Sequence, residues 1–377
     1  MSTAWEVTAP GTQEPPPRLD GPVTSEVVVV GQGAAGLTAG ALLAEAGVDV
    51  LVLDAWHPGA GASGRNGGFL LAGLAEAHHE VRERLGRRRA TELHRLTADA
   101  LDATAQAHPD AVRRVGSLRV SRSVEEDADV DAQYAAMRED GLTVERYEGT
   151  EGSGLLFPDD AAFHPLLRAR QLAQRATAAG ARLHGAVTVS AVEPRAVVTG
   201  GGRVSATRGV LVAVDGGLEH LVPALRGRVR SARLQMVGTA PAHDVEVPRP
   251  VYARFGLDYW QQLPDGRVLL GGGRDVGGEG EWAPGRPWAA PTSAPVQGHL
   301  ERLLREDVGT SARVEQRWTG VVGFTGDALP VLAELEPGLL AVGGYSGTGN
   351  LVGPLCSTWA VDRLLGRCND LAELLTP

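Results

Sequence analysis

No lysine and no isoleucine occur anywhere in this chain of 377 residues, and its 36 cationic side chains are all arginine. The missing lysine excludes any mechanism built on a Schiff base or a lysine ammonium. Without isoleucine, buried strands must be made of valine and leucine, and the two absences together read as the bias of a GC-rich genome. Only Cys356 and Cys368 carry thiols, both near the C-terminal end. That argues against a disulfide framework and fits a reducing, cytoplasmic setting. Asparagine appears only at 66, 350 and 369. There is no run of about eighteen apolar residues, so no membrane span is expected. A net charge of -10 with dispersed arginines leaves no basic stripe, and nucleic acid is not expected as a partner. Arg87-Arg88-Arg89 reads as a solvated helix face. Residues 1–24, with Pro10 and Pro15-Pro16-Pro17, read as a loose, disordered tail. Lacking a basic start and an apolar stretch, they do not read as a secretory signal.

What the chain does have is the run Val27-Val28-Val29-Val30-Gly31-Gln32-Gly33-Ala34-Ala35-Gly36-Leu37, answered by Val50-Leu51-Val52-Leu53-Asp54. Four consecutive β-branched residues make a strand buried on both faces. Gly31, Gly33 and Gly36 then let the chain turn tightly, approach a pyrophosphate and pack a helix on that strand. Leu37 to Ala46 is small, apolar and proline-free, so it forms a helix whose N-terminal N–H groups face the phosphates, and Gly47 ends it. A second strand, Val48 to Leu53, delivers Asp54 to accept hydrogen bonds from the ribose hydroxyls of an adenosine, which disfavours NADP. Strand, glycines, helix, strand and acid in register identify a dinucleotide site, where the glycines alone would not.

The remaining patterns divide the chain. Residues 56–69 are too glycine-rich for a helix and too irregular for a strand, and read as a loop that brings backbone close to a ligand. Helical spacing broken near Gly86 covers Ala75 to His108. Val112 to Ser121 alternates like a strand, Val124 to Glu139 is helical and Leu142 to Tyr147 extended. Pro165 to Ala179 reads as a helix, Arg182 to Val192 as extended, and Val197 to Thr207 as a hairpin with Gly200-Gly201-Gly202 at its tip. Gly209 to Val214 is another core strand. From Arg228 to Gly273 the alternation is that of an antiparallel sheet, with Pro264-Asp265-Gly266 as a turn. Within it Tyr259 and Trp260 point to opposite faces, so both cannot wall one site. A helix within Thr292 to Asp307, a strand at Arg313 to Val322 and a core strand at Gly338 to Val342 follow. Gly343 to Asn350 then leads into a closing helix. The expected fold class is α/β: a Rossmann-type nucleotide domain over 25–105, 155–225 and 325–377, interleaved with an antiparallel-sheet substrate domain over 106–154 and 226–324.

Taken in order, these pieces resemble the FAD-dependent amine oxidase superfamily of D-amino-acid oxidase, glycine oxidase and monomeric sarcosine oxidase, over nearly everything after the tail. Gly61-Ala62-Ser63-Gly64-Arg65-Asn66-Gly67-Gly68 looks like the loop of gamma-glutamylputrescine-oxidase-like proteins. Trp318 to Pro330, with Gly343 to Gly349, is similar to the superfamily's C-terminal signature. The resemblance implies a glutathione-reductase-like FAD fold. In it Gly31, Gly33, Ala34, Ala35, Gly36, Asp54 and Ala55 hold the ADP half, and Val187 meets the adenine side through its backbone. Ser63, Gly64, Arg65, Asn66, Gly67 and Gly68 line the pyrophosphate and isoalloxazine, beside Ala213. Gly344, Tyr345, Ser346, Gly347, Thr348 and Gly349 face the pyrimidine end. Arg65, Tyr259, Arg254 and Arg274 are the catalytic candidates. Plainer readings stand beside these: a surface ion pair for Arg65, turn positions for Asn66 and Asn350, a cap for Asp327, core packing for Trp318, Phe324 and Trp260, and solvent exposure for Arg254 and Arg274.

The departures from the resemblance bear on chemistry. Val322 stands where glycine oxidase and D-amino-acid oxidase place an arginine that clamps the substrate carboxylate. A buried carboxylate without its bidentate partner is costly. Amine substrates, or acids held elsewhere by Arg254 or Arg274, are therefore favoured. No lysine is present to activate oxygen as in sarcosine oxidase. No cysteine lies near 315–325, and Arg65 takes the place of a linking histidine, so the FAD is expected to be non-covalent. Asp215 places a carboxylate near the cofactor with no assigned role. The implied chemistry is oxidation of a C–N bond in a small amine or amino-acid-like molecule, with hydride transfer to flavin N5 and hydrolysis of the imine. Reoxidation would be by O2, giving H2O2, or by another acceptor. A hydroxylase, a dehydrogenase with another acceptor and a non-catalytic flavin-binding subunit are the rival readings. Substrate identity and oligomeric state stay open.

Overall fold

The computed structural model describes residues 2–11, 17, 19, 23–282 and 291–376. The all-valine run forms the strand Thr24–Val30, with Val27, Val28 and Val29 fully buried as a two-faced strand requires. It pairs in parallel with Val50–Leu53 on one side and with Gly202–Val212 on the other, in the registers Val28↔Leu51 and Val28↔Val210. The sheet extends through Arg182–His184 beyond the first and through Ala196–Thr199 and Val189–Glu193 beyond the second. Leu339–Gly343 pairs in parallel with the far half of Gly202–Val212 and carries Val331–Glu336 antiparallel at its side. The helix Ala34–Glu45 packs on this sheet against Val352–Leu364, and the Ser357 hydroxyl donates to Ala35 O at 2.8 Å.

A second eight-stranded sheet is made of Val314–Thr325, Val229–Pro241, Arg267–Gly272, Asp258–Gln262, Val251–Ala253, Ser117–Val120, Gly152–Phe157 and Glu145–Gly149, in that order. Every pair is antiparallel except Val251–Ala253 with Ser117–Val120. One face buries Val237, Trp260, Val268 and Leu270 under the helix Ala294–Glu306. The alternate residues Leu234, Met236, Tyr252, Tyr259 and Val322 face a cavity. A boundary at 154 would cut the strand Gly152–Phe157, which belongs to this second sheet.

Three local expectations need correction. Gly116, at φ +71°, splits Val112 to Ser121 into two strands on different sheets. The loop 56–69 contains a helical turn, Ala62–Arg65, because Gly64 packs within 2.2 Å of Gly59 O by the place a Cβ would take, which only glycine allows. The segment read as a loose tail holds a helix, Ala4–Thr8, opened by a reciprocal cap: Thr3 Oγ1 accepts from Glu6 N at 3.0 Å and Glu6 Oε2 from Thr3 N at 2.7 Å. Trp5 on that helix is fully buried. Thr3-x-x-Glu6 was the signal that could have found it.

Candidate active site

The first glycines leave no room for side chains. A Cβ on Gly36 would lie 1.9 Å from Gly31 O, one on Gly31 2.6 Å from Ala213 O, and one on Gly33 2.9 Å from Ser63 Oγ. Strand, turn and helix therefore meet at backbone contact. Gly33 precedes Ala34–Glu45 without any side-chain cap, and the Ala34 N–H donates to Ser63 Oγ at 2.9 Å. Asp54 accepts from Gln32 N at 2.7 Å on one oxygen and from Trp56 N at 2.8 Å on the other. Burial raises its pKa in spite of these two bonds. Each oxygen keeps a lone pair for a hydroxyl. The Val187 N–H is already given to Asp54 O at 2.9 Å, so a backbone contact to an adenine there falls to its carbonyl.

Gly31, Gln32, Gly33, Ala34, Asp54, Trp56, Ser63 and Val187, with Ala35, Ala55 and Ala213, line a cleft of about 1170 Å³ that runs on past Ala62, Asn66, Val322, Gly347 and Asn350, whereas Gly36 lies behind it at the strand–helix contact. The same five residues also line a second cavity of about 500 Å³, so the cleft opens into a chamber. Around the junction the two asparagines join the loops: Asn66 Nδ2 donates to Asn350 Oδ1 at 3.1 Å, and Asn350 Nδ2 to Phe69 O at 3.1 Å. Asp215 ties the strand Val314–Thr325 to the C-terminal loop, accepting from Gly323 N at 3.1 Å and Tyr345 N at 3.0 Å, which gives the unexplained carboxylate a structural task. Burial pushes its pKa up to about 6. The C-terminal loop turns on Gly344 at φ +64° and, unusually for a side-chain-bearing residue, on Ser346 at φ +51°. Thr348 Oγ1 donates back to Tyr345 O at 2.8 Å, and the buried Tyr345 hydroxyl beside Gly353 finds no partner among the described residues. A glycine cradle at a helix start and a carboxylate at the end of the next strand, both along one long cleft, fit FAD.

The chamber carries the charge. Arg65 reaches it from the helical turn, with Nε donating to Thr319 O at 2.7 Å. Burial lowers its pKa, partly offset by the Glu6 carboxylate. Tyr259 lies over Gly67 and Gly271, whose missing Cβ atoms would strike its ring at 3.0 and 2.5 Å, and burial raises its pKa so that the hydroxyl remains a donor. Arg274 opens the short turn Arg274–Gly277, its guanidinium 4.5 Å from the Trp282 ring centroid and 4.6 Å from that of Phe324. Phe324 thus walls the chamber instead of packing in the core. Among the described residues no carboxylate forms an ion pair with Arg65 or Arg274. Arg254 is otherwise placed: it pairs with Asp258 at 2.7 Å and with Asp275, contacts His299 at 3.2 Å, and does not line the chamber. Its charge is spent on neighbours, so the clamp role expected of it is withdrawn. Trp260 is in the core on the opposite face. Asp327 caps a turn through Leu329 N at 3.1 Å.

Sequence reading missed Asp160, which lines the inner chamber at 4% exposure. It accepts from Ser117 Oγ at 2.6 Å and from Ala72 N at 3.0 Å, and no basic side chain among the described residues pairs with it. Burial pushes its pKa up to about 7 from 3.8. The folded chain then holds a proton that the unfolded chain has lost between those values, so this site's stabilisation is full below about pH 4 and is lost as pH rises through about 7. Asp160→Asn, which keeps an acceptor for Ala72, is expected to gain stability over the wild type across that window, on the order of a few kcal/mol. Chemical denaturation of both proteins at several pH values checks this, and parallel profiles would refute it. At the edge of the same chamber, to which Glu80 and Asp129 contribute, His79, Glu80 and Asp129 have ligand atoms within 4.8 Å of one another, but Asp129 is already paired with Arg119.

Comparison with known proteins agrees with the geometry. The family model described as FAD dependent oxidoreductase (DAO) matches residues 26–363. A probable oxidoreductase OrdL of Rhizobium meliloti (strain 1021) is 29% identical over 384 residues, spanning 94% of this chain and 86% of that one. The gamma-glutamylputrescine oxidoreductase of Escherichia coli (strain K12) is 26% identical over 371 residues, spanning 88% and 81%. Among solved structures, glycine oxidase from Geobacillus kaustophilus superposes with a TM-score of 0.75 at 22% identity, covering 94% of this chain and 99% of that one. NikD, described as an unusual amino acid oxidase essential for nikkomycin biosynthesis, gives 0.73 at 20% identity, covering 94% and 98%. At such identities the last two speak for the fold.

Proposed function

This chain belongs to the DAO family of FAD-dependent oxidoreductases, and we propose that its chamber oxidises the C–N bond of an amine that also bears a carboxylate. The observation that carries the reading is the junction itself: a dinucleotide cleft opening at Asn66 and Val322 into a chamber where two arginines lack carboxylate partners among the described residues. FAD supplies the two-electron acceptor for removal of hydride from the carbon next to the amine nitrogen, and the imine left behind hydrolyses in water. Everything else falls to the protein. Arg274, seated against the edge-to-face pair of Trp282 and Phe324, offers a flat, pre-oriented fork to a carboxylate, a duty that Val322 cannot perform. Arg65 places a second positive charge at the cofactor end. The Tyr259 hydroxyl, kept protonated, can donate to the substrate, and the surrounding apolar walls exclude water from the reacting bond. With no lysine in the chain, Arg65 and Arg274 are the chamber cations nearest to hand if O2 is the final acceptor and leaves as H2O2.

The test is anaerobic addition of sarcosine, glycine, D-amino acids, N-substituted amino acids, polyamines and simple secondary amines to the purified flavoprotein. Bleaching of the visible flavin band is expected with carboxylate-bearing amines. Retention of the band with every compound, but not with dithionite, would overturn the reading in favour of a non-catalytic flavin protein. Arg65 stands where a linking histidine would be needed, and Cys356 is buried in the closing helix. Acid precipitation is therefore expected to release all the flavin into the supernatant, and a yellow pellet would show a covalent link.

A further inference from the structure

The loop that carries Arg65 and Asn66 is gripped from behind along its carbonyl oxygens. Trp318 Nε1 donates to Arg65 O at 2.8 Å, and Trp5 Nε1 to Asn66 O at 2.8 Å. Gln261 Nε2 donates to Gly67 O and, at 3.0 Å, to Gly68 O. Four successive carbonyls are thus taken by three side chains, and one of the three comes from the N-terminal helix, sixty-one positions away in sequence. Trp5 has no other place to go. Its ring is fully buried with Leu166, Met236, Leu269 and Trp318, and a Cβ on Gly68 would lie 2.8 Å from it. The helix is itself tied down, by Thr8 Oγ1 to His164 Nε2 at 3.1 Å and by Arg170 to Pro10 O at 2.9 Å.

We propose that Trp5 is a positioning residue for the cofactor loop, and that it acts by fixing the plane of the peptide between Asn66 and Gly67. The peptide is trans and planar, so the N–H of Gly67 points away from the carbonyl that Trp5 holds. Gly67 lines the chamber, and its N–H has no acceptor among the described residues. The indole therefore aims a free backbone donor, and the Arg65 and Asn66 side chains beside it, into the space where FAD and substrate meet. The N-terminal segment lines neither cavity and acts only through the loop that does. This rests on the cofactor reading above and not on the identity of the substrate.

Trp5→Phe keeps an aromatic ring in the cluster and removes the N–H. The variant holoenzyme is expected to fold, to show an altered shape of the visible flavin band, and to bind FAD about three- to tenfold more weakly, the effect of one lost hydrogen bond. Faster amide exchange over residues 61–68 is expected as well, with kcat lowered more than KM is raised once a substrate is known. An unchanged flavin spectrum and FAD affinity, with only a lower Tm, would overturn the proposal and leave Trp5 as packing. If Trp5→Phe yields no folded holoenzyme, Thr3→Val decides, since it unpins the helix cap without touching the indole: a flavin band altered from that of the wild type supports the proposal and an unaltered one refutes it. Because these readouts need no turnover, they are separable from failure of the amine-oxidase reading.

Discussion

Gly36→Val is expected to emerge from purification without flavin. The Cβ of any larger residue would sit 1.9 Å from Gly31 O, a backbone atom that no rotamer change can move. Gly31 cannot yield either, because it adopts φ +114° and already lies against Ala213 O. The helix Ala34–Glu45 would have to lift off the strand, carrying away the N–H groups at its start and the Ala34 contact to Ser63 Oγ. Overpacking of this kind costs roughly 1–3 kcal/mol in stability. The loss at the phosphates is larger, since a helix terminus displaced by about 1 Å no longer meets its anion, and FAD affinity is expected to fall more than about 100-fold. Gly47→Ala is the control. That glycine also has a positive φ, +79°, but nothing lies within 4 Å of its Cβ position, so the change costs backbone strain of about 1 kcal/mol and leaves the cofactor in place. The ratio of visible to protein absorbance in the two purified variants settles the matter, and stoichiometric flavin in Gly36→Val would contradict the account.

The second large effect is expected from Arg274→Gln, and it depends on the substrate. For an amine bearing a carboxylate, kcat/KM should fall about 100- to 1000-fold, the ~3–4 kcal/mol of a charge-assisted pair lost in a partly buried site. For a secondary amine of similar size without the acid, it should change less than threefold. The contrast follows from the cation packing against the rings of both Trp282 and Phe324, which hold the fork in place before substrate arrives. Equal losses for both classes would mean that Arg274 only shapes the wall. A loss confined to kcat, with KM unchanged, would mean that Arg274 acts only in the transition state and would move ground-state binding of the carboxylate to Arg65.

Several elements were legible before any coordinates. The unit from Val27 to Asp54 announces itself because β-branched runs, tight-turn glycines and a terminal acid are local features, and the register Val28↔Leu51 follows from them. The helix Val124–Glu139 is written in its spacing and in Ser123, whose hydroxyl caps Glu126 N. The two loops holding Asn66 and Asn350 were recognisable as partners, and the structure brings both to one cleft with their amides bonded to each other.

Other assignments were not open to such reasoning. Arg254 and Arg274 flank the same hairpin and looked alike, yet the first is neutralised by Asp258 and Asp275 while the second is left facing the chamber. Asp215 looked anomalous until Gly323 and Tyr345, more than 100 residues away, brought their N–H groups to it. Trp5 was passed over in a proline-rich stretch whose composition argues for disorder, because composition cannot show that a pocket exists between Leu166 and Trp318 to receive one indole. The sequence by itself determined the nucleotide fold and the longer helices, since these depend on backbone conformations and periodicities confined to a few residues, but not the short helices Ala4–Thr8 and Ala62–Arg65. Which arginine is free, which carboxylate is structural and which distant tryptophan aims the cofactor loop were decided only by tertiary structure, because each depends on what the folded chain places within about 3 Å of a charge or a carbonyl.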